Sequence, residues 1–179
     1  MANRSGRHVP KRCALQEPYP TVKAVTPNHY YADLLLEDYT GAVSELTAIN
    51  QYLYHHFTFG NYPDLSELER CISIVEMHHL DLLAGVILLL GVEPQFRTFS
   101  TCGPLFWNAA NIHYGTGVCD KLTADIRSEV QAIQNYRRHQ ELIDDVNIKS
   151  LLERIIRDEE YHYQLFCEAY QRYCPQSPQ

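Results

Sequence analysis

Residues 45–55 read ELTAINQYLYH and residues 129–139 read EVQAIQNYRRH, with Glu, Ala, Ile, Tyr and His at the same offsets. Thirty-one residues after Glu45 stands Glu76, in EMHH with His79; thirty residues after Glu129 stands Glu159, in EEYH with His162. The pattern is a glutamate followed by ExxH, twice. A repeat of this kind points to two similar helical hairpins related by an approximate two-fold axis.

The spacing carries chemistry because residues three apart on a helix lie about 60° apart around its axis. Glu76 and His79 therefore project from one face in adjacent turns, as do Glu159 and His162. With one inward glutamate from each remaining helix, Glu45 and Glu129, the set comprises four carboxylates and two imidazoles. Four-helix bundles use such a set to hold two iron or two manganese ions. Bare carboxylates in a dry interior would cost several kcal/mol each, so buried charge of this density calls for cations. Carboxylate oxygen mixed with imidazole nitrogen, and no cysteine, suits Fe, Mn or Zn.

Other polar residues near the motif read differently. His78 points about 100° away from His79 and is expected at a surface or interface. Asp158 and Glu160 are expected to be solvated or to sit outside the ligand set. Tyr52 and Tyr136, seven residues beyond Glu45 and Glu129, lie on the same face, where their hydroxyls can hydrogen-bond a ligating carboxylate; core filling competes with that role. His55 and His139 fall off that face by about 80° and read as structural.

Punctuation along the chain places these motifs on four helices. Thr26 and Pro27 open the first, expected to run unbroken to Gly60. Asp64 or Ser66 caps the second, which reaches Gly91. Residues 92–106, VEPQFRTFSTCGPLF, form the one long connection. The third helix is expected from about Trp107 to Ile143, and either Asp144 or Asp145 caps the fourth, which Pro175 ends. No convincing strand alternation appears. The expected fold is all-α: a four-helix bundle of two hairpins joined by a long crossover.

Composition fits one globular domain. The chain has 179 residues, 21% charged and 45% hydrophobic, with a net charge of −7. Residues 1–25 carry Arg4, Arg7, Lys11, Arg12 and Lys23 against Glu17 alone, so the rest of the chain is strongly acidic. An acidic body disfavours nucleic acid and attracts cations. Residues 1–25 are expected as a basic, flexible arm, residues 26–174 as the bundle and residues 175–179 as a tail. No apolar segment follows the basic start, and the apolar run at 82–92 is short for a bilayer, so neither secretion nor membrane insertion is expected. Six cysteines without a CxxC pair suit reduced thiols and a cytoplasmic location.

Across residues 28–173 the paired motifs resemble the ferritin-like superfamily that contains bacterioferritins, rubrerythrins and manganese catalases. ELTAINQYLYHHF, SIVEMHHLDLL and DDVNIKSLLERIIRDEEYHYQLF look most like the bacterial manganese-catalase-like group that includes spore coat proteins. Rubrerythrins carry a further Glu three residues after the third-helix glutamate, where this chain has Ala132, and CxxC knuckles, which it lacks. In manganese catalases one ExxH glutamate is withdrawn from the metal, which singles out Glu159 as the weakest ligand. Those enzymes are also longer, which puts catalase activity itself in question.

The resemblance implies a dinuclear Fe or Mn oxidoreductase acting on hydrogen peroxide or dioxygen, as a catalase, peroxidase or ferroxidase, assembled as a homo-oligomer. The alternative is a structural or storage protein, a coat component or iron carrier, in which turnover is incidental. A third reading is an enzyme oxidising hydrocarbons or amines, which requires an apolar channel.

Overall fold

The computed structural model describes residues 13–174. Helices α1 (His29–Thr40), α2 (Glu45–Thr58) and α3 (Pro63–Leu89) are followed by strands β1 (Arg97–Ser100) and β2 (Gly103–Phe106), then by helices α4 (Val118–Leu142) and α5 (Val146–Tyr173). Antiparallel α2–α3 and α4–α5 hairpins form the bundle, and α1 packs on α3, α2, α4 and β1.

The expected single first helix is broken. Asn28, rather than Thr26, caps α1 by accepting from the Tyr31 amide. The helix closes where the Gly41 amide donates to the Glu37 carbonyl, and Ser44 opens α2 by accepting from the Thr47 amide. A Cβ on residue 41 would lie 2.5 Å from the Glu37 carbonyl oxygen, so only glycine fits this turn.

Pro63 occupies the first turn of α3 and Asp64 follows it there, but neither Asp64 nor Ser66 is the cap, which is Tyr62. By length and composition α3 could cross a membrane, with an 18-residue window of mean hydropathy 1.7. In the fold it is a core helix that buries Glu69, Glu76 and His79 inside the bundle.

The crossover holds a hairpin that the sequence did not announce, pairing Arg97 with Phe106 and Phe99 with Pro104. The third long helix starts at Val118, eleven residues later than expected. Residues 107–117 are instead tied across α2: Trp107 Nε1 donates to Thr47 Oγ1 at 2.8 Å, and the His113 amide donates to Gln51 Oε1 at 3.0 Å. Asp145 caps α5, accepting from the Asn147 and Ile148 amides.

Two further expectations, on the N-terminal arm and on the cysteines, are corrected. Residues 13–25 are not a free arm; they lie along α5, where the Leu15 amide donates to Asp158 and Arg154 donates to the Leu15 and Glu17 carbonyls. Residues 1–12 of the expected arm, and the expected tail at 175–179, lie outside the described residues. Nor are the cysteines all reduced. Cys13 pairs with Cys71 and Cys119 with Cys174 as disulfides, leaving Cys102 and Cys167 free. Sequence spacing missed these pairs because their members lie 58 and 55 residues apart.

The apolar core has two lobes. Leu35, Leu83, Ile87, Leu151 and Ile155 centre one, and Phe59, Ile72, Leu122 and Phe166 the other. Between them runs a layer of ionisable side chains.

Candidate metal centre

Each bundle helix delivers its motif inward to that layer. Glu45 comes from α2, Glu76 and His79 from α3, Glu129 from α4, and Glu159 and His162 from α5; none is more than 3% exposed. They gather into two overlapping groups: Glu45, Glu76, His79 and Glu159 around one point, and Glu76, Glu129, Glu159 and His162 around the other. Glu76 and Glu159 belong to both groups, the arrangement expected of carboxylates shared between two ions.

The distances follow the pseudo-two-fold. His79 Nδ1 lies 3.0 Å from Glu76 Oε2, 3.0 Å from Glu159 Oε1 and 3.6 Å from Glu45 Oε2. His162 Nδ1 lies 2.9 Å from Glu76 Oε1, 3.0 Å from Glu159 Oε2 and 3.9 Å from Glu129 Oε1. Glu159, which the resemblance marked as the weakest ligand, is as close to both histidines as Glu76 is.

The outer nitrogens are held as well. His162 Nε2 donates to the Cys13 carbonyl at 2.8 Å. A carbonyl can only accept, so the proton of a neutral His162 is on Nε2 and its Nδ1 lone pair faces the carboxylates. A lone pair against those carboxylates is repulsive unless a proton or a metal cation lies between them. His79 Nε2 stands 3.2 Å from Asp158 Oδ2 and 3.2 Å from the Tyr19 hydroxyl. Asp158 is thus fully buried and paired with His79 and Arg154, so of its two expected places it takes the one behind the ligand set and not the solvated one. Glu160 is solvated as expected, in an exposed pair with Arg137.

The tyrosines cross the bundle. Tyr52 on α2 donates to Glu129 Oε1 at 2.5 Å, and Tyr136 on α4 donates to Glu45 Oε1. Both also fill the core, so the hydrogen bond and the packing coexist. His139 is structural, with Nδ1 2.7 Å from Asp38 Oδ2. His55 is buried against Asp125 and Glu69.

The electrostatics are those of four carboxylates and two imidazoles packed together in a dry interior. Burial, then repulsion from Glu76 and Glu159, pushes the Glu45 and Glu129 carboxyls well above the usual range. Burial also works against the charged form of Glu76, but His162 and His79 outweigh it and hold this carboxyl below the usual range. Burial lowers the affinity of both imidazoles for a proton; the surrounding carboxylates, Glu159 for His79 and Glu76 for His162, reverse that and raise it. Burial and the adjacent glutamates push the Tyr52 and Tyr136 hydroxyls upward, so both remain donors.

The residues fit a pair of divalent ions. Glu45 Oε2, Glu76 Oε1 and Glu159 Oε1 are buried and make no well-aligned hydrogen bond, with only the histidine Nδ1 atoms near them, an arrangement that native interiors rarely leave uncompensated. Four carboxylates would balance two divalent charges. Sequence reasoning missed Tyr19 and the Cys13 carbonyl, because no local spacing links residues 13–19 to α3 and α5.

The ferritin-like domain family model matches residues 42–173. A bacterioferritin from Brucella melitensis is 32% identical over 123 residues, 66% of this chain and 70% of its own length. A probable manganese catalase from Clostridium acetobutylicum is 28% identical over 166 residues, 83% of this chain and 73% of its own. Among solved structures, a manganese catalase from Anabaena PCC7120 superposes with a TM-score of 0.80 at 26% identity, over 92% of this chain and 84% of that one.

Proposed function

The chain belongs to the ferritin-like domain family, and on that footing we propose that it is an oxidoreductase that holds two Fe or two Mn ions and acts on hydrogen peroxide or dioxygen. The observation that carries the reading is the sharing of Glu76 and Glu159 between two groups that each add one more glutamate and one inward-facing histidine. Glu45, Glu76 and His79 would hold one ion, Glu129, Glu159 and His162 the other, with Glu76 and Glu159 common to both.

When bound, such a pair supplies two-electron redox chemistry at one small-molecule site. The chain's own residues set the conditions. Tyr52 and Tyr136 fix the orientation of Glu129 and Glu45. Asp158 and the Cys13 carbonyl fix the histidine rings, as outer partners of ligating histidines do. The lobes of apolar core on either side exclude bulk water. The cavity lined by Glu45, Ala48, Glu76, Glu129, Ala132 and Glu159 holds about 10 Å³, roughly one water. That volume suits peroxide or dioxygen and argues against the hydrocarbon- or amine-oxidising reading.

Bacterioferritins among the relatives favour iron storage as the second reading. One experiment separates the two. Protein expressed with added iron and manganese is analysed for bound metal, then assayed for oxygen evolution from peroxide and for Fe(II) oxidation by dioxygen. Two redox ions per chain with either turnover support the oxidoreductase; an iron load well above two per chain supports storage; an inert zinc-like pair rejects both.

A further inference from the structure

A second buried cluster lies further along the bundle, nearer the α2–α3 turn. His55 Nδ1 on α2 is 2.9 Å from Asp125 Oδ1 on α4 and 3.9 Å from Glu69 Oε1 on α3. All three side chains are fully buried. Glu69 stands seven residues before Glu76, two turns or about 10 Å away along α3, so the cluster is separate from the dinuclear centre.

Three observations show that carboxyl oxygens there are short of partners. Both carboxylate oxygens of Glu69 are buried without a hydrogen-bond partner. His55 Nε2 contacts the His113 carbonyl at 3.1 Å and so carries a proton there, which leaves Nδ1 as the ring atom facing Asp125. The nearest cation, Lys121, is engaged elsewhere: its ammonium donates to Thr58 Oγ1 at 2.5 Å and sits 4.9 Å over the Phe59 ring. Among the described residues it makes no ion pair with Glu69 or Asp125.

The internal repeat sharpens the point. Glu76 and His79 correspond to Glu159 and His162, eighty-three residues on; by the same offset Glu69 corresponds to Leu152, a fully buried leucine. One half of the bundle therefore fills this position with an apolar side chain, and the other puts a buried carboxyl without a hydrogen-bond partner in its place.

We propose that His55 Nδ1, Glu69 and Asp125 form a third cation site, taking one divalent transition-metal ion. One imidazole and two carboxylates match the donor set and charge of Zn²⁺, Mn²⁺ or Fe²⁺. Gln51 orients the site by donating Nε2–H to Asp125 Oδ1 at 2.9 Å, and the His113 carbonyl orients the imidazole. Gln51 and His113 also line a surface pocket of about 210 Å³ between α2 and α4, which gives an ion a way in.

The test is metal stoichiometry of the chelated, full-length protein titrated with Zn²⁺, in wild type, Glu69→Gln and the double variant Glu76→Gln/Glu159→Gln. The expected result is three equivalents in wild type, two in Glu69→Gln and one in the double variant. Wild type and Glu69→Gln binding the same number overturns the third site. Two equivalents in wild type, both lost in the double variant, also overturns it while leaving the dinuclear reading intact. A single equivalent abolished by Glu69→Gln but not by the double variant supports the third site and removes the dinuclear one. Metal-free Glu69→Gln should melt no lower than metal-free wild type, because the Glu69 oxygens have no hydrogen bond to lose; a drop of several degrees would mean that Glu69 is already paired, and would overturn the proposal.

Discussion

The hydroxyl of Tyr52 on α2 reaches across the bundle to Glu129 on α4 at 2.5 Å, with both residues buried. It ties the two hairpins together at the level of the proposed ions. Replacing Tyr52 with Phe leaves the volume unchanged but removes a donor to a buried carboxylate. We expect a stability loss of about 1.5–3 kcal/mol and a fall in metal affinity of roughly 10- to 100-fold. Thermal melts and metal titration of Tyr52→Phe measure both; a variant indistinguishable from wild type would show that Tyr52 is core filling alone.

Metal uptake should release protons. Without metal the Glu45 and Glu129 carboxyls and the His79 and His162 imidazoles are all shifted upward, so each retains a proton to higher pH than an exposed group of its type. A cation must displace those protons, so apparent affinity rises with pH. Calorimetric titrations in two buffers of different protonation heat should give heats that differ in proportion to the protons released. Equal heats would count against the assigned ligands.

Asp38 adds a pH dependence of its own. Burial lifts its carboxyl to about 6 from 3.8, although its hydrogen bond from His139 acts in the opposite direction. The folded state therefore holds a proton that the unfolded chain releases between about pH 4 and 6. Its contribution to stability is greatest below that window and is lost as pH rises through it, by about 2–3 kcal/mol. Denaturant melts of Asp38→Asn across pH 4–7 should show a flatter profile than wild type.

The Cys13–Cys71 disulfide closes a loop of 58 residues and anchors the segment whose carbonyl holds His162. Cys13→Ser should lower stability by about 2–4 kcal/mol. It should also weaken metal retention, read as faster loss of bound ion to a chelator. A lower melting temperature with unchanged metal loss would separate the covalent tie from the positioning of His162.

Phe99, Leu105 and Phe106 on the crossover hairpin are all more than half exposed, an apolar patch of the kind that marks a protein interface. The expected homo-oligomer should use it. Light scattering on Phe99→Ser/Phe106→Ser should report a smaller assembly than wild type; an unchanged mass places the interface elsewhere.

The duplicated glutamate and ExxH motifs were enough to indicate the bundle, its two-fold repeat and the six side chains that meet at its centre. Helical periodicity is local, so a spacing of three residues fixes a shared face before any packing is known. Departures from expectation arose where residues far apart in the chain meet. The Gly41 break answers to a close approach to the Glu37 carbonyl, and the late start of α4 to bonds between the crossover and α2. Asp158 is drawn inward by residues 15–19 and by His79, and Cys13 finds Cys71 only once the chain has wrapped α5. Glu69 belongs to neither of the duplicated motifs, and folding buries it beside His55 and Asp125. A side chain's distance to a partner on another element, and the desolvation it suffers there, are properties of the assembled core and are absent from any single helix.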